Sequence, residues 1–401
     1  MNGKEREALT MRHVEPDRVP VHCQLSIGHY NLNGGYKPHE IWYETEAFVD
    51  ATLTLARRYQ FDGILVVLPG RPRNYFQDHV FSIYETEQGE WVTWRNGDKT
   101  FLPWDDMPHH FPADLSKPQR ANFATFDPDK DIQIIDDYLG YTWNVHVHMQ
   151  EIPGKVDKGL LLPGNMPEYF FDAFDQVKAQ AGHECSIHGS VYSPLTHYME
   201  LFGYENALMS FLDDAGKAHA VLELLCNSSI TWALALIQRG ADAIDLSSAF
   251  VGAPFLSRKM YREFVLPYER EVNQAIRAAG GTVYTHTCGR IGDRLDLMIE
   301  TGTQGVDTLD PPPLADGDLA SAKRDFGDRL FFKGNLNSGA LLEFTTEEQV
   351  ITAAAECLRI GKPGSGFILG TSCSVAPRVE PWKLELLVPL AEKEGRYAER
   401  R

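Results

Sequence analysis

His286 and Cys288 stand two residues apart in TVYTHTCGRIGD, residues 282–293, where a β-branched apolar run leads into them and Gly289 comes next. In an extended chain residues i and i+2 point to the same side. An imidazole and a thiol can therefore aim at one point. Cys373, in ILGTSCSVAP, lies 85 residues further on. Three chemistries are open to this set. His-x-Cys with a distant Cys supplies three zinc-type ligands, and three protein ligands with an open fourth position is the arrangement of a catalytic zinc. A Cys/His pair can serve as an activated nucleophile. Buried free cysteines are also common and inert. A structural zinc would want four ligands, usually as two close pairs, and the chain contains no C-x-x-C.

To meet, these residues need elements that end at one place. Short apolar runs recur at 18–24, 61–67, 184–190, 241–247, 281–287, 304–310, 329–335 and 366–372. Most are rich in Val, Ile, Leu or Phe, which suits strands covered on both faces of a parallel sheet. Helical patterns separate them: 40–59, 205–239 as two helices, 257–279 with Ser257 as N-cap and a kink or break at Pro267, 291–301, 315–326 and 345–360. Eight strands, each followed by a helix, predict an α/β fold, a (β/α)8 TIM barrel, with the doubly wound open sheet as rival. The chain reads as one domain, 1–401. An insertion over about 70–163 breaks the rhythm, and 80–104 in it reads as a β-meander with a two-residue hairpin at Asn96-Gly97. Its aromatics, Tyr84, Trp91, Trp94, Phe101 and Trp104, either staple a small sheet to the rim or roof the site. Residues 164–182 read as a helix returning to the barrel.

Barrel chemistry sits at the C-terminal ends of the strands. In order these ends offer His22 and Gln24; Pro69 and Arg71; His188, Ser190 and Tyr192; Asp245 and Ser247; His286 and Cys288; Asp307 and Asp310; Asn335; and Ser372 with Cys373. His22 and His188, taken alone, read as satisfied core or pocket histidines rather than ligands. Asp245, Asp307 and Asp310 could be acids of the site or groups tying down loops.

The bulk numbers narrow the class. With 38 Lys and Arg against 56 Asp and Glu, the net charge is −18, which argues against nucleic acid and anionic membrane surfaces. The N-terminus is polar, without a signal peptide. No uninterrupted apolar run reaches membrane-spanning length, so the expected location is the cytoplasm. Six scattered cysteines suit free thiols, some of them on a metal, better than disulfides.

The motifs GADAIDL, Pro267-Tyr268, HTCG, ETGTQGVDTLD and FFKGNLN, with DRVPV near the start and GSVYSPLTHYMELFG between, resemble the uroporphyrinogen decarboxylase superfamily. The resemblance covers nearly the whole chain and is weakest over 70–163. It implies a (β/α)8 barrel and one of two chemistries. The decarboxylases need no metal. They carry an arginine-rich loop after the first strand and an aspartate near the end of the second. Here those places read HCQLSIGHYNLNGGY, without arginine, and ILVVLPGR. The other branch comprises zinc methyltransferases that work with corrinoid proteins, and those of the coenzyme M type bind zinc through His-x-Cys and a distant Cys. His286, Cys288 and Cys373 match that pattern position by position.

The resemblance therefore implies an enzyme with Zn2+ on His286, Cys288 and Cys373. It would move a methyl group between a small methylated substrate and the cobalt of a separate corrinoid protein. Cobalamin stays with that partner, since no DxHxxG sequence occurs here. The aromatic insertion tilts the substrate towards an aromatic methyl ether. A coenzyme M-type thiol methyltransferase and a metal-independent decarboxylase are the alternatives. His188, Asp245 and Asn335 are the expected catalytic side chains; His22, Gln24, Tyr192 and Asp310 are expected to bind substrate. A homodimer is an allowed assembly.

Overall fold

The computed structural model describes residues 1–115, 120–129 and 168–398. The expected insertion beyond residue 129, and the part of the 164–182 helix before Glu168, lie outside them.

Seven parallel strands form one curled sheet: β1 Gly63–Val66, β6 Ser186–Tyr192, β7 Ala243–Ser247, β8 Val283–Thr287, β9 Gly305–Thr308, β10 Phe331–Leu336 and β11 Phe367–Thr371, in that order across the sheet. All but the ends of β6 and β7 are fully buried. Residues 19–22 supply the eighth stave. Val21 pairs with Leu369 in a parallel bridge. On that side His22 N–H donates to Leu369 C=O at 2.9 Å; on the other, Asp62 N–H donates to Val21 C=O at 2.8 Å. The sheet is thereby closed into a (β/α)8 barrel. Gly370 permits the closure, because a Cβ there would come within 2.5 Å of the His22 carbonyl oxygen.

The floor is a helix that no apolar pattern in the sequence announces, Gly3–Thr10, opened by an Asn2/Glu5 capping box. It packs against β1, β6 and β11. Above it Met11, Ala243, Tyr284, Phe331 and Ile368 form a small apolar layer at the strand starts, separate from the main core. The main core lies between the staves and the outer helices.

Several elements differ from expectation. The 40–59 segment is two helices, Pro38–Tyr43 and Thr45–Tyr59, because Glu44 adopts an extended conformation (φ −122°, ψ 116°). The 257–279 segment starts at the Ser257 cap and passes through a π-helical turn, Tyr261–Val265, before Leu266–Ala278. Pro267 has no N–H to give to the preceding turn, and the wider turn accommodates it. Helix Ala215–Gln238 is, by length and composition, long and apolar enough to cross a membrane, although scattered polar residues interrupt its apolar run. It packs against Pro194–Phe202 and Leu266–Ala278.

The meander has four strands, β2 Val80–Thr86, β3 Gly89–Trp94, β4 Lys99–Pro103 and β5 His109–Phe111, the last unanticipated. Its β3–β4 turn is a three-residue loop. Trp94 C=O accepts from Gly97 N–H at 2.9 Å and only Gly97 has positive φ (92°), not Asn96 as a two-residue turn would require. Trp94 packs edge-on against Tyr43 and Phe76. Tyr84, Trp91, Phe101 and Phe111 contact one another on the opposite face, with Tyr84 and Phe111 exposed.

Candidate metal centre

The ends of β8 and β11 bring three ligand-type side chains together. Cys288 Sγ lies 3.7 Å from His286 Nε2 and 3.5 Å from Cys373 Sγ. Zn–S bonds of about 2.3 Å and a Zn–N bond of about 2.0–2.1 Å at tetrahedral angles would place sulfur about 3.8 Å from sulfur and about 3.6 Å from nitrogen. Two edges of the triangle thus match a zinc-sized tetrahedron, and all three ligand atoms lie within 4.8 Å of one another. His286 is buried while both cysteines are partly exposed. None of the six cysteines is in a disulfide.

The neighbouring strand orients the imidazole. His286 and Asp307 are register partners on β8 and β9, and Asp307 with Lys333 on β9 and β10. Asp307 Oδ2 lies 3.0 Å from both His286 Nδ1 and Lys333 Nζ. A carboxylate on Nδ1 leaves Nε2 to face the sulfurs, the arrangement that steadies metal-bound histidines. Burial alone would raise the Asp307 pKa, but Lys333 and His286 override it and hold the carboxylate ionised. Burial likewise opposes charge on His286, yet Asp307 and the two cysteines raise its pKa. The hydrogen bond between the two sulfurs lowers the Cys373 pKa to about 4 and raises that of Cys288. Asp310 Oδ2 accepts from Gly289 N–H at 2.7 Å, which pins the turn after Cys288.

Asp245 stands beside this group. Its Oδ2 accepts from Ser190 Oγ at 3.1 Å, and its buried Oδ1 has no partner. Burial pushes its pKa up to about 6. Ligand-type atoms of Asp245, His286 and Asp307 lie within 4.8 Å of one another.

The other expected site residues are placed elsewhere. His22 and His188 are fully buried on the barrel floor. Glu7, from the N-terminal helix, puts Oε1 at 3.0 Å from His22 Nδ1 and Oε2 at 2.9 Å from His188 Nε2. His188 Nδ1 lies 3.0 Å from Tyr284 Oη. Burial would raise the Glu7 pKa, but the two imidazoles outweigh it and hold it well below the usual range; burial lowers His22 to about 4. Glu7, His22 and His188 could in principle hold a cation, but each already partners another and Lys333 adds positive charge. Asn335 is turned into the packing: its Nδ2 donates to Leu309 C=O at 3.1 Å and its Oδ1 lies 3.8 Å from Cys357 Sγ on helix Glu347–Gly361. Gln24 keeps a buried Oε1 without a partner, and Tyr192 packs its ring against His197.

Lys333 and Glu7 were not singled out by sequence. A lysine inside FFKGN was the available sign of an ion-paired interior. The Asn2/Glu5 capping box was the sign of the helix that delivers Glu7.

Fold and site together define an enzyme-type (β/α)8 barrel with a His-Cys-Cys centre at its mouth. The uroporphyrinogen decarboxylase (URO-D) family model matches residues 151–393, more than half of the chain. The chain belongs to that family. Uroporphyrinogen decarboxylase of Chlorobaculum parvum is 25% identical over 257 residues, covering 61% of this chain and 71% of that protein. The methylcobamide:CoM methyltransferase MtaA of Methanosarcina barkeri is 22% identical over 238 residues, covering 59% of this chain and 66% of that protein. A solved structure, a methyltransferase from Methanosarcina mazei, superposes with a TM-score of 0.68 at 15% identity, covering 98% of this chain and 99% of that one.

Proposed function

We propose that this protein is a zinc-dependent methyltransferase that moves a methyl group between a small methylated substrate and the cobalt of a separate corrinoid protein in the cytoplasm. The observation that carries the reading is the convergence of His286 Nε2, Cys288 Sγ and Cys373 Sγ within 4.8 Å of one another, at separations from Cys288 Sγ of 3.7 Å and 3.5 Å that suit zinc. Relatives of both chemistries exist, but the arginine-rich loop of the decarboxylases has no counterpart in HCQLSIGHYNLNGGY. The MtaA relative supports the methyltransferase branch.

His286, Cys288 and Cys373 would hold the zinc, which when bound supplies Lewis acidity to a leaving oxygen or keeps a substrate thiol deprotonated. Asp307 fixes the imidazole tautomer and Lys333 holds Asp307 ionised. Asp310 keeps the Cys288 turn in place. Asp245, with a pKa of about 6, can hold at Oδ1 the proton that a departing group takes up or a thiol gives off.

Two methyl partners fit the reading, a methyl ether as donor and a coenzyme M-type thiol as acceptor. The expectation of an aromatic ether rested on the meander. Tyr84, Trp91, Phe101 and Phe111 pack on one another, Trp94 packs edge-on against Tyr43 and the Trp104 indole donates to Glu87 C=O, so they lend that choice no support.

Elemental analysis of the purified protein and of Cys373→Ala tests the reading. About one zinc per chain, lost in the variant, joins the two distant motifs in one site; methyl ethers and thiols are then assayed with methylated and reduced corrinoid proteins. Absence of zinc in protein purified without chelator, with none taken up on addition, removes the reading and favours a metal-independent decarboxylase.

A further inference from the structure

Arg71 comes after the second stave of the barrel at its C-terminal end, in the run Leu68-Pro69-Gly70-Arg71. It is 8% exposed. Its backbone is anchored, since its N–H donates to Thr45 Oγ1 at 2.7 Å. Its guanidinium is not. Nε makes one long contact of 3.4 Å with Trp42 C=O, and Nη2 is buried without a partner. No carboxylate among the described residues pairs with it. The ionisable groups that face it are the phenols of Tyr75, Tyr43 and Tyr169, and Tyr169 Oη is itself buried without a partner. Gly70 N–H donates to Phe170 C=O at 3.0 Å. A side chain at Gly70 would collide with the Tyr169 carbonyl, so the glycine brings Arg71 up against the 168–171 turn.

A buried charge without a counter-charge is unfavourable. Among the described residues other buried cations keep the rule: Arg18 is paired with Asp62 at 2.6 Å and Lys333 with Asp307 at 3.0 Å. We propose that Arg71, with the Tyr169 hydroxyl, is a receptor for a small carboxylate. One guanidinium among neutral phenols balances one negative charge; a phosphate dianion would leave a net charge buried. The planar fork of an arginine matches the two oxygens of a carboxylate, with bonds running in parallel, and the phenol supplies a further donor. The carboxylate comes either on the methylated substrate or on a separate effector. The receptor does not depend on the methyl-transfer reading, because binding needs no corrinoid protein.

The probes are benzoate and acetate, with benzamide and acetamide as neutral isosteres, titrated into the full chain by calorimetry. At least one carboxylate is expected to bind more than tenfold tighter than its amide. Arg71→Gln should abolish the difference, and Tyr169→Phe should weaken the carboxylate a few-fold and leave the amide alone. If Arg71→Gln does not fold, the wild-type pairs and Tyr169→Phe decide. Competition between the bound carboxylate and the methyl donor in turnover would place it on the substrate; binding without competition would make it an effector. No preference for either carboxylate over its amide, or an unchanged preference in folded Arg71→Gln or in Tyr169→Phe, overturns the proposal.

Discussion

Asp307 faces His286 across the β8–β9 ladder, 3.0 Å from its Nδ1, and this contact decides which imidazole nitrogen meets the two cysteines. The same carboxylate oxygen lies 3.0 Å from Lys333 Nζ. The candidate metal centre is therefore underpinned by a buried ion pair rather than by apolar packing. Asp307→Asn keeps the shape and removes the charge. Metal affinity is expected to fall by about 10–100-fold, read by chelator competition. Lys333 is left without its counter-ion, at a cost of about 3–5 kcal/mol in urea unfolding. The double variant Asp307→Asn/Lys333→Met should regain much of the stability and none of the affinity. Unaltered affinity in the single variant would show that the imidazole needs no carboxylate behind it.

Gly370 is where the barrel closes. An alanine methyl there would lie 2.5 Å from the His22 carbonyl oxygen, a backbone atom that cannot rotate away. Gly370→Ala is expected to destabilise by about 1–3 kcal/mol, as overpacking does, measured from denaturant midpoints. Equal midpoints would mean that residues 19–22 stand further from β11 than the bridge at Val21 and Leu369 implies.

Glu269 on helix Leu266–Ala278 is buried and accepts hydrogen bonds from Ser248 Oγ and Tyr261 Oη. Burial raises its pKa from 4.5 to about 7. The folded state then binds a proton more tightly than the unfolded one, so this contribution to stability is complete below pH 4.5 and is lost as pH rises through 7. At 1.36 kcal/mol per unit, the loss is about 3 kcal/mol by pH 8. Glu269→Gln should remove this slope, with the unfolding free energies at pH 5 and pH 8 drawing together. A slope identical to that of wild type would assign the pH dependence to other groups.

The floor responds to acid with the opposite sign. His22 has a folded pKa of about 4, below its ordinary 6.5, and Glu7 is held below the carboxylate range. Both groups bind fewer protons folded than unfolded, so their stability is present at neutral pH. It is lost as pH falls, from 6.5 towards 4 for His22 and below 4.5 for Glu7. Glu7→Gln is expected to unfold at lower urea concentration at pH 7, by about 3 kcal/mol or more, as when one partner is removed from a buried set. Its deficit against wild type should shrink at pH 4. A constant deficit would mean that Glu7 acts through packing rather than charge.

The staves were readable because each is buried on both faces and so shows a continuous apolar run; FDGILVV and GFILGTS leave little choice of period. What could not be read depends on contacts between runs. Nothing around Glu44 marks a break, yet its extended backbone ends one helix and Thr45 begins the next. Asp307 is an acid in a strand until register places it opposite His286. His188 sits on an inward-facing position, as expected, but the floor helix claims it, and that helix has too little apolar periodicity to announce itself. Asn335 ends a strand yet spends its amide on Leu309 and Cys357. The three ligand-type residues at 286, 288 and 373 were legible because strand alternation and the barrel's single mouth leave two such ends little room to lie apart.

Under the proposed methyl transfer, Asp245 is the residue whose replacement distinguishes the two directions. Its Oδ1 is buried without a partner, its pKa lies near 6, and it neighbours His286. When a methyl leaves an ether oxygen, the oxygen gains charge and must gain a proton. A positioned carboxylic acid that is partly protonated near neutral pH is suited to give it, and such groups are worth about 10²–10⁴-fold in rate. Asp245→Asn should then lower ether turnover by that factor while zinc content is unchanged. When a thiol is the acceptor, the proton is released as the thiol binds, before the methyl moves. The loss should then appear in the pH dependence of thiol binding, with the transfer rate within a few-fold of wild type. Equal turnover of ether and thiol substrates in Asp245→Asn and wild type, at every pH from 5 to 8, would remove Asp245 from the chemistry altogether.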